Sequence, residues 1–385
     1  MVVAILGAGY AGVTVARRLE NNLPDDVEVI VVDESPDHLI RHELHRVLRR
    51  PSFEEELTVP LTDLLDRAEV RQERVLEVNA DDHVVERADG TLEYDYAAVC
   101  LGAETSFYDL PGIEDHAIPF RDLEHVHAIR DRYLDLLSDG GRVVVGGAGL
   151  TGIQVAGELA TLAEEEGARE AVEIVLAEQL DDVAPGFPQN FRAAIRDELI
   201  ERGIDIRTET TVQGATEDTI DLTDEELAYD LFIWTGGIAG AGALGGTRPQ
   251  VRGTMQLDRE TFVVGDAARV IDRDGELVPA SAQSAIREAR TAARNIQRLV
   301  EYDRDGDIFE PRLDTIDFDP RGWVVSVGDG AVAQVGPTIL RGSAAVAVKA
   351  TAGVGYLSSV GAVREALEVA REEFSGAIPR RADRH

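Results

Sequence analysis

Apolar residues occur in short runs along this chain, and the first run is followed by glycines and then by a helical pattern. Residues 2–6 (VVAIL) form a continuous apolar run, which predicts a fully buried parallel strand. Residues 13–20 (VTVARRLE) have helical spacing, and residues 27–32 (VEVIVV) form a second apolar run. The pattern predicts a strand–turn–helix–strand unit, here called the first unit.

The same pattern occurs again later in the chain. Residues 143–160 (VVVGGAGLTGIQVAGELA) repeat the arrangement of residues 3–20 (VAILGAGYAGVTVARRLE). They predict a strand over 142–146, a helix over 153–165 and a further strand over 172–177, here called the second unit. We therefore predict an α/β fold with two Rossmann-like units.

Each unit carries the spacing G-x-G-x-x-G between its first strand and its helix. Glycines at these positions allow a tight turn, the close approach of a pyrophosphate and close helix–strand packing. We predict that each turn binds a dinucleotide. The glycines are Gly7, Gly9 and Gly12 in the first unit, and Gly147, Gly149 and Gly152 in the second unit.

An acidic residue ends the second strand of each unit, Asp33 in the first and Glu178 in the second. Its carboxylate can accept hydrogen bonds from a ribose diol, but it would repel a ribose 2′-phosphate. Since no arginine follows Glu178 before Arg192, the second site favours NADH over NADPH. A chain with two dinucleotide sites typically keeps one dinucleotide as a prosthetic group and exchanges the other.

Three further segments resemble the flavoproteins with two dinucleotide-binding domains, the glutathione-reductase-like fold. They are "YDYAAVCLGAET" (94–105), "YDLFIWTGGI" (229–238) and "TFVVGDAA" (261–268). The resemblance implies that the first turn binds FAD and that the second binds NADH. It also implies further cofactor-binding residues, which are Gly102, Gly265 and Asp266 for FAD and Gly236 for NADH.

The order of these motifs implies a domain organisation. One FAD-binding domain is formed by residues 1–122 and 255–315, and it is interrupted by an NADH-binding domain at residues 123–254. Residues 316–385 form a short C-terminal segment of strands and helix on the acceptor side.

Within that fold, the chain is most similar to the type II NADH dehydrogenases, which are NADH:quinone oxidoreductases. The resemblance implies that NADH reduces bound FAD, which then reduces a quinone or another small electron acceptor. Ala282 and Gln283 match the helix that runs under the flavin and borders the quinone pocket, with Arg287 beside them. The supporting segments are "GGAGLTGIQVAGEL" (146–159), "LAEQLDDVAPGF" (176–187), "IWTGG" (233–237) and "PASAQSAIREARTAARNI" (279–296).

Two residues depart from this family's pattern near the acceptor. Arg287 stands where the family usually has glutamine or glutamate, and Gln154 stands where it tends to have glutamate. Two alternatives therefore stay open. One is a soluble NADH-dependent reductase for a small electron-carrier protein or oxygen, and the other is a non-catalytic redox sensor that binds flavin and NADH.

Cys100 is the single cysteine of the chain. Disulfide reductases and sulfide:quinone oxidoreductases use at least two cysteines, so their chemistry is excluded. Because Cys100 lies in an apolar run, we expect it to be unreactive core.

Residues 38–50 (HLIRHELHRVLRR) place His38, His42 and His45 on one face of a predicted helix. We expect no metal site there. A basic, solvated helix and a segment close to the FAD phosphates or the flavin both stay open.

The charge balance is strongly acidic, with 73 Asp and Glu against 38 Lys and Arg and a net charge of −35. This composition is typical of a halophilic protein, because molar salt screens self-repulsion. Without a basic stripe, nucleic acid is not expected as a partner.

Lys349 is the one lysine among these bases. An ammonium can release a proton and a guanidinium in practice cannot, so we expect Lys349 to assist proton delivery to the reduced acceptor.

No run of apolar residues is long enough to span a membrane, and no leader peptide is visible, so we expect a cytoplasmic protein. The stretch 342–374 carries an apolar face that suits either a peripheral contact with the inner face of the membrane or a homodimer or core contact. This face comprises Val354, Leu357, Val360 and Val363.

Overall fold

Two parallel sheets form the frame of the protein, and each is built around one of the predicted units. The computed structural model describes residues 1–306, 308–320 and 322–359, with residues 352–359 as backbone only. The first part of the chain contributes the strands β1 (Val2–Leu6), β2 (Glu28–Asp33), β3 (Asp37–Leu39), β4 (Thr58–Pro60), β5 (Glu69–Gln72), β6 (Val75–Asn79), β7 (Val84–Arg87), β8 (Gly90–Glu93), β9 (Tyr96–Val99) and β10 (Ala103–Thr105). Its helices are α1 (Tyr10–Asn22), α2 (Arg46–Arg49), α3 (Glu54–Leu57) and α4 (Leu61–Leu64), with 3-10 turns at Arg41–Glu43 and Pro51–Phe53.

The middle of the chain forms the second sheet and its covering elements. Its strands are β11 (Ile118–Pro119), β12 (Gly141–Gly146), β13 (Val172–Ala177), β14 (Asp205–Arg207), β15 (Val212–Ala215), β16 (Thr219–Leu222), β17 (Glu226–Ala228), β18 (Leu231–Trp234), β19 (Ile238–Gly240) and β20 (Gln250–Arg252). Its helices are α5 (Ile113–His116), α6 (Leu123–Asp139), α7 (Leu150–Glu165) and α8 (Gln189–Glu201), with a 3-10 turn at Gly242–Leu244.

The last described part returns to the first sheet and then adds a small antiparallel sheet. Its strands are β21 (Thr261–Val263), β22 (Arg269–Ile271), β23 (Gly322–Val327), β24 (Gly330–Val335) and β25 (Thr338–Arg341). Its helices are α9 (Ala282–Asp305) and α10 (Ser343–Ser359), with a 3-10 turn at Gly265–Ala267.

The first sheet has the strand order β21–β9–β1–β2–β5, and all of its neighbouring strands are parallel. Helix α1 packs against this sheet and against α9. Strand β1 is buried from Val3 to Leu6, which explains why the run is apolar at every position. The predicted strand, turn, helix and second strand of the first unit are confirmed.

The second sheet has the order β11–β18–β12–β13–β14 and is also parallel throughout. In both sheets the strand before the glycine turn is central, and the strand that ends in the acid lies beside it. The α/β fold with two Rossmann-like units is therefore confirmed. The domain boundaries at residues 122, 254 and 315 stay a prediction, and β11 already belongs to the second sheet before residue 123.

Residues 38–50 differ from the predicted helix. They form β3, a 3-10 turn and the four-residue helix α2. Ile40, Leu44, Val47 and Leu48 are at most 1% exposed, so the segment folds into the core rather than onto the surface. The expectation of a single helix with a shared histidine face is wrong, and so is the alternative of a basic, solvated helix, because burial of these four side chains overrides the local periodicity.

The C-terminal strands β23, β24 and β25 form an antiparallel sheet on which α10 packs. This confirms the β and helical C-terminal segment within residues 322–359. The sheet rests on α7, where Gly157 permits the contact: a Cβ at this position would lie 2.5 Å from the backbone nitrogen of Gly328.

The apolar face predicted near the C-terminus is only partly covered by the structure. Val354 and Leu357 fall where only the backbone is described, and Val360 and Val363 lie outside the described residues. Contact of this face with a membrane or with a second copy stays a prediction, as does the cytoplasmic location. Among the helices that the structure describes, none is both long and apolar enough to cross a membrane.

Candidate dinucleotide and electron-transfer site

The two glycine turns have the same backbone geometry. Gly7 and Gly147 adopt positive φ angles of 95° and 100°, which favour glycine. A Cβ at Gly12 would lie 1.8 Å from the carbonyl oxygen of Gly7, and a Cβ at Gly152 would lie 1.9 Å from that of Gly147. The outer glycines of each turn are therefore required for the helix to pack against the strand.

The middle glycines, Gly9 and Gly149, face open space. A Cβ at either position would meet no heavy atom within 4 Å. Each is also the N-cap of its helix, α1 or α7, and makes no side-chain capping hydrogen bond. The first N–H groups of both helices therefore lie beside unfilled space, which is the arrangement that binds a phosphate. Both turns fit a dinucleotide pyrophosphate.

A carboxylate holds each turn from the neighbouring strand. Asp33 Oδ2 accepts a hydrogen bond from the Ala8 amide at 2.5 Å, and Glu178 Oε2 accepts one from the Ala148 amide at 2.8 Å. The second oxygen of each acid accepts from the amide two residues further along the chain. The two repeated segments therefore make the same hydrogen bonds. Both acids lie at the edge of their sheet where a ribose would be expected.

Gly265 and Asp266 lie at the carboxyl end of β21, on the same edge as the first turn. Gly265 has a φ angle of 71°, and its amide donates to Glu288 Oε2 at 2.7 Å. Asp266 Oδ1 is buried and has no hydrogen-bond partner among the described residues. An unpartnered buried acceptor beside a phosphate-binding turn fits a hydroxyl donor of the FAD predicted at this site.

Strand order predicts where the two halves of each dinucleotide would lie. Because the acid strands β2 and β13 lie on one side of β1 and β12, adenosine belongs over the acid strand and pyrophosphate over the glycine turn. The reactive halves then belong over β9 and β21 in the first sheet and over β18 in the second. Gly102 follows β9, and Gly236 follows β18. Gly236 lies against the second glycine turn, because a Cβ added to Gly147 would be 2.9 Å from the Cα of Gly236.

A protein-family model described as pyridine nucleotide-disulphide oxidoreductase matches residues 1–289. The chain belongs to this family.

Several curated relatives are similar over most of the chain. A demethylphylloquinone reductase of Synechocystis sp. is 27% identical over 323 residues, covering 76% of this chain and 78% of that protein. A type II NADH:quinone oxidoreductase of Haemophilus influenzae is 25% identical over 367 residues, covering 78% of this chain and 80% of that protein.

Several solved structures share the fold at low sequence identity. NDH2 from Plasmodium falciparum in complex with NADH aligns with a TM-score of 0.84 and 14% identity, covering 98% of this chain and 99% of that one. The sulfide:quinone oxidoreductase of Aquifex aeolicus aligns with a TM-score of 0.80 and 18% identity, covering 95% of this chain and 93% of that one. At these identities the likeness shows the fold alone.

The lone cysteine of this family member is part of the core. Cys100 is 5% exposed, and a Cβ built on Gly7 would lie 2.5 Å from its carbonyl oxygen. Burial raises the pKa of the Cys100 thiol, and the nearby Glu288 carboxylate raises it further. The thiol therefore stays protonated, and the predicted core role of Cys100 is confirmed.

Arg41 was not selected from the sequence, although the segment 38–50 that contains it was. Burial raises the pKa of Asp33 and of Asp266, and the positive charge of Arg41 opposes the shift at both carboxylates. The positive charge of Arg41 therefore acts on both acids of the first site. These surroundings favour the alternative in which the segment approaches the FAD phosphates.

The predicted acceptor residues begin at the start of α9. Ala282 and Gln283 are the first residues of this helix, which Ser281 caps by accepting a hydrogen bond from the Ser284 amide at 3.1 Å. Their roles in cofactor and acceptor binding stay predictions.

Arg287, one turn further along α9, holds the following segment. Its guanidinium lies 5.2 Å from the ring centroid of Phe318 and donates to the Asp319 carbonyl at 2.6 Å. Phe318 in turn neighbours Trp323, which packs edge-on against Phe187 with ring centroids 4.9 Å apart. Arg287 thus holds residues 318–319 beside a group of aromatic rings, and its contact with an acceptor stays a prediction.

Lys349 lies in a buried polar cluster. Its Nζ is 2.8 Å from Glu43 Oε2, and the side chains are 10% and 4% exposed. Burial alone would raise the pKa of Glu43, but the charges of Lys349, His42 and Arg46 outweigh it and hold that pKa below its usual range. His45, in the same cluster, has its pKa lowered by burial. This imidazole is therefore neutral.

Glu288 was also missed by sequence reasoning, because only the fold brings it to Gly265. It is 3% exposed, and burial raises its pKa to about 7. A raised pKa means that the folded state holds this proton more tightly than the unfolded chain does. The stability due to this proton is present below the unfolded pKa near 4.5 and is lost as the pH rises through 7.

We expect the free energy of unfolding to fall by about 2–3 kcal/mol between about pH 5 and pH 8 because Glu288 loses its proton. Glu288→Gln removes the titration but keeps an acceptor for the Gly265 amide. Urea unfolding in molar KCl at both pH values should show that wild-type stability falls by this amount relative to E288Q. Parallel pH dependence in the two proteins would contradict the assignment, and Glu301→Gln, at an exposed position of the same helix, is the matched control.

Proposed function

We propose that this protein oxidises NADH with a bound FAD and passes the electrons to a quinone. The observation that carries the proposal is the presence of two glycine turns in one chain, each before a helix without a side-chain cap and each held by a carboxylate at the end of the neighbouring strand. Relatives named demethylphylloquinone reductase and type II NADH:quinone oxidoreductase, aligned over about three quarters of the chain, support it.

The first site would hold FAD. The amides at the start of α1 would bind the pyrophosphate, with Arg41 nearby to neutralise its charge. Asp33 would accept from the ribose, and Asp266 from a hydroxyl of the ribityl chain. FAD supplies the chemistry that accepts hydride from NADH and transfers electrons onward, and the protein supplies position and electrostatics.

The second site would hold NADH rather than NADPH. Glu178 is 6% exposed and lies where a 2′-phosphate would approach it. Arg192, the nearest following arginine in sequence, lies 3.8 Å from both Asp181 and Asp182. Its charge is therefore shared with two carboxylates and is poorly placed to offset a phosphate.

On the acceptor side, we infer that Gln283 and Arg287 border the quinone and that Lys349 supplies a proton. Tyr10, which follows Gly9, hydrogen-bonds His42 Nδ1 at 2.5 Å. His42 Nε2 lies 3.6 Å from Glu43, and Glu43 lies 2.8 Å from Lys349. This series of polar groups runs from the FAD-binding turn to α10, and quinone reduction consumes protons.

We further propose that the quinone is reached from the membrane surface on the cytoplasmic side, with α10 and the residues after it in peripheral contact. A quinone dissolved in a bilayer is available only there, which supports this arrangement over a homodimer contact at the same face. NADH and the quinone are the small-molecule partners in this proposal.

Anaerobic stopped-flow spectroscopy of the purified protein in molar KCl tests the function directly. We expect rapid loss of flavin absorbance on adding NADH, slow loss with NADPH, and rapid recovery on adding a short-chain quinone. Recovery with oxygen or a carrier protein but not with quinones would favour the soluble reductase. A protein that contains no flavin would contradict the proposal.

Lys349→Arg tests the proton role, because arginine keeps the charge beside Glu43 but does not release its proton. We expect flavin reduction by NADH to be unchanged and reoxidation by quinone to slow by about tenfold or more. Unchanged reoxidation with every acceptor would refute this role. Arg304→Lys, which replaces an exposed arginine paired with Asp26, is the control for arginine–lysine exchange.

A further inference from the structure

A strained turn lies beside the second glycine turn. Tyr108 and Asp109 both have a φ angle of 53°, and the Leu110 amide donates to the Phe107 carbonyl at 3.0 Å. Two consecutive left-handed residues closed by this hydrogen bond follow the pattern of a type I′ turn, which is normally filled by asparagine and glycine. A tyrosine–aspartate pair is a costly choice for it.

The base of this turn is fixed to the end of β18. Phe107 and Leu110 pack against a buried cluster that includes Trp234. The Ser106 amide donates to the Gly237 carbonyl at 3.1 Å, and Trp234 Nε1 donates to the Ser106 carbonyl at 2.8 Å. With both ends of the turn held, Tyr108 is placed at its tip.

The ring of Tyr108 rests on two glycines. Its hydroxyl donates to the Gly236 carbonyl at 3.3 Å, and a Cβ on Gly237 would lie 2.0 Å from the same hydroxyl. A side chain at position 237 would therefore displace the Tyr108 hydroxyl from this position. The tyrosine is nevertheless 58% exposed, so part of its ring is available to a ligand.

The position of Tyr108 identifies the half of the ligand that it would meet. Adenosine is expected over β13, where Glu178 lies, and pyrophosphate over the turn after β12. The remaining half, the nicotinamide riboside, is then expected at the carboxyl end of β18, where Gly236 adjoins Gly147. We propose that Tyr108 contacts the nicotinamide riboside half of bound NADH and fixes its position, an inference that rests on the proposed function.

If the turn served only to cover Gly236 and Gly237, it would not need a tyrosine at position 108. Glycine or asparagine would complete the same turn with less backbone strain. Strained residues persist where the surrounding structure enforces them, and they cluster at ligand sites. The exposed, rigid aromatic ring offers a planar nicotinamide an edge or stacking contact that a glycine could not provide.

The test compares Tyr108→Gly, Tyr108→Asn and Tyr108→Phe in the FAD-loaded protein. Isothermal titration with NAD⁺, which carries no hydride to donate to the flavin, and with ADP-ribose gives the dissociation constants. Removing the ring should weaken NAD⁺ binding about five- to tenfold and leave ADP-ribose binding unchanged. Y108F should stay within about twofold of wild type for both ligands, because it keeps the ring.

Thermal unfolding separates a ligand contact from a structural role. Y108G and Y108N should unfold at or above the wild-type temperature, because glycine and asparagine tolerate the left-handed conformation. Unchanged NAD⁺ binding in both variants, or an equal loss for ADP-ribose, would overturn the assignment of Tyr108. A wild-type protein that binds neither ligand would instead overturn the proposed function itself.

Discussion

A strand-end carboxylate that accepts a hydrogen bond from the adjoining glycine turn is the interaction on which the rest of the structure depends. Asp33 makes this bond to Ala8, and Glu178 makes it to Ala148. Each bond fixes the turn, the start of the following helix and the carboxylate at one edge of a parallel sheet. Because no side chain caps either helix, the amides at that edge stay available to a pyrophosphate.

Buried ion pairs join the parts of the chain that these turns organise. Arg49 on α2 lies 2.7 Å from Glu158 on α7, and their side chains are 9% and 1% exposed. Lys349 adds α10 to the same region through Glu43. An unpaired charge at such depth would cost about 3–5 kcal/mol. The chain has 73 acids and only 38 bases. The cations placed here hold residues 38–50, α7 and α10 together.

Elements that depend on local sequence patterns could be predicted, whereas contacts between residues distant in sequence could not. The β1, α7 and β13 elements follow from apolar runs and glycine spacing, so they lie close to their predicted bounds. For residues 38–50 a helix was expected, and a solvated one was an open alternative, because periodicity does not reveal which residues pack into a core. The contact of Glu288 with Gly265 spans 23 positions. The left-handed conformation of Tyr108 has no local sequence signal, because tyrosine does not favour it.

The central claim is that one chain holds one FAD firmly at the first turn and one exchangeable NADH at the second. The most direct measurement is the number of FAD and NAD⁺ molecules bound per chain in wild type, Asp33→Ala and Glu178→Ala. The account predicts one FAD that survives gel filtration and one NAD⁺ that exchanges in the wild type. It also predicts loss of FAD in D33A, and loss of NAD⁺ with FAD retained in E178A. Two bound FAD molecules per chain, or the same loss in both variants, would contradict it.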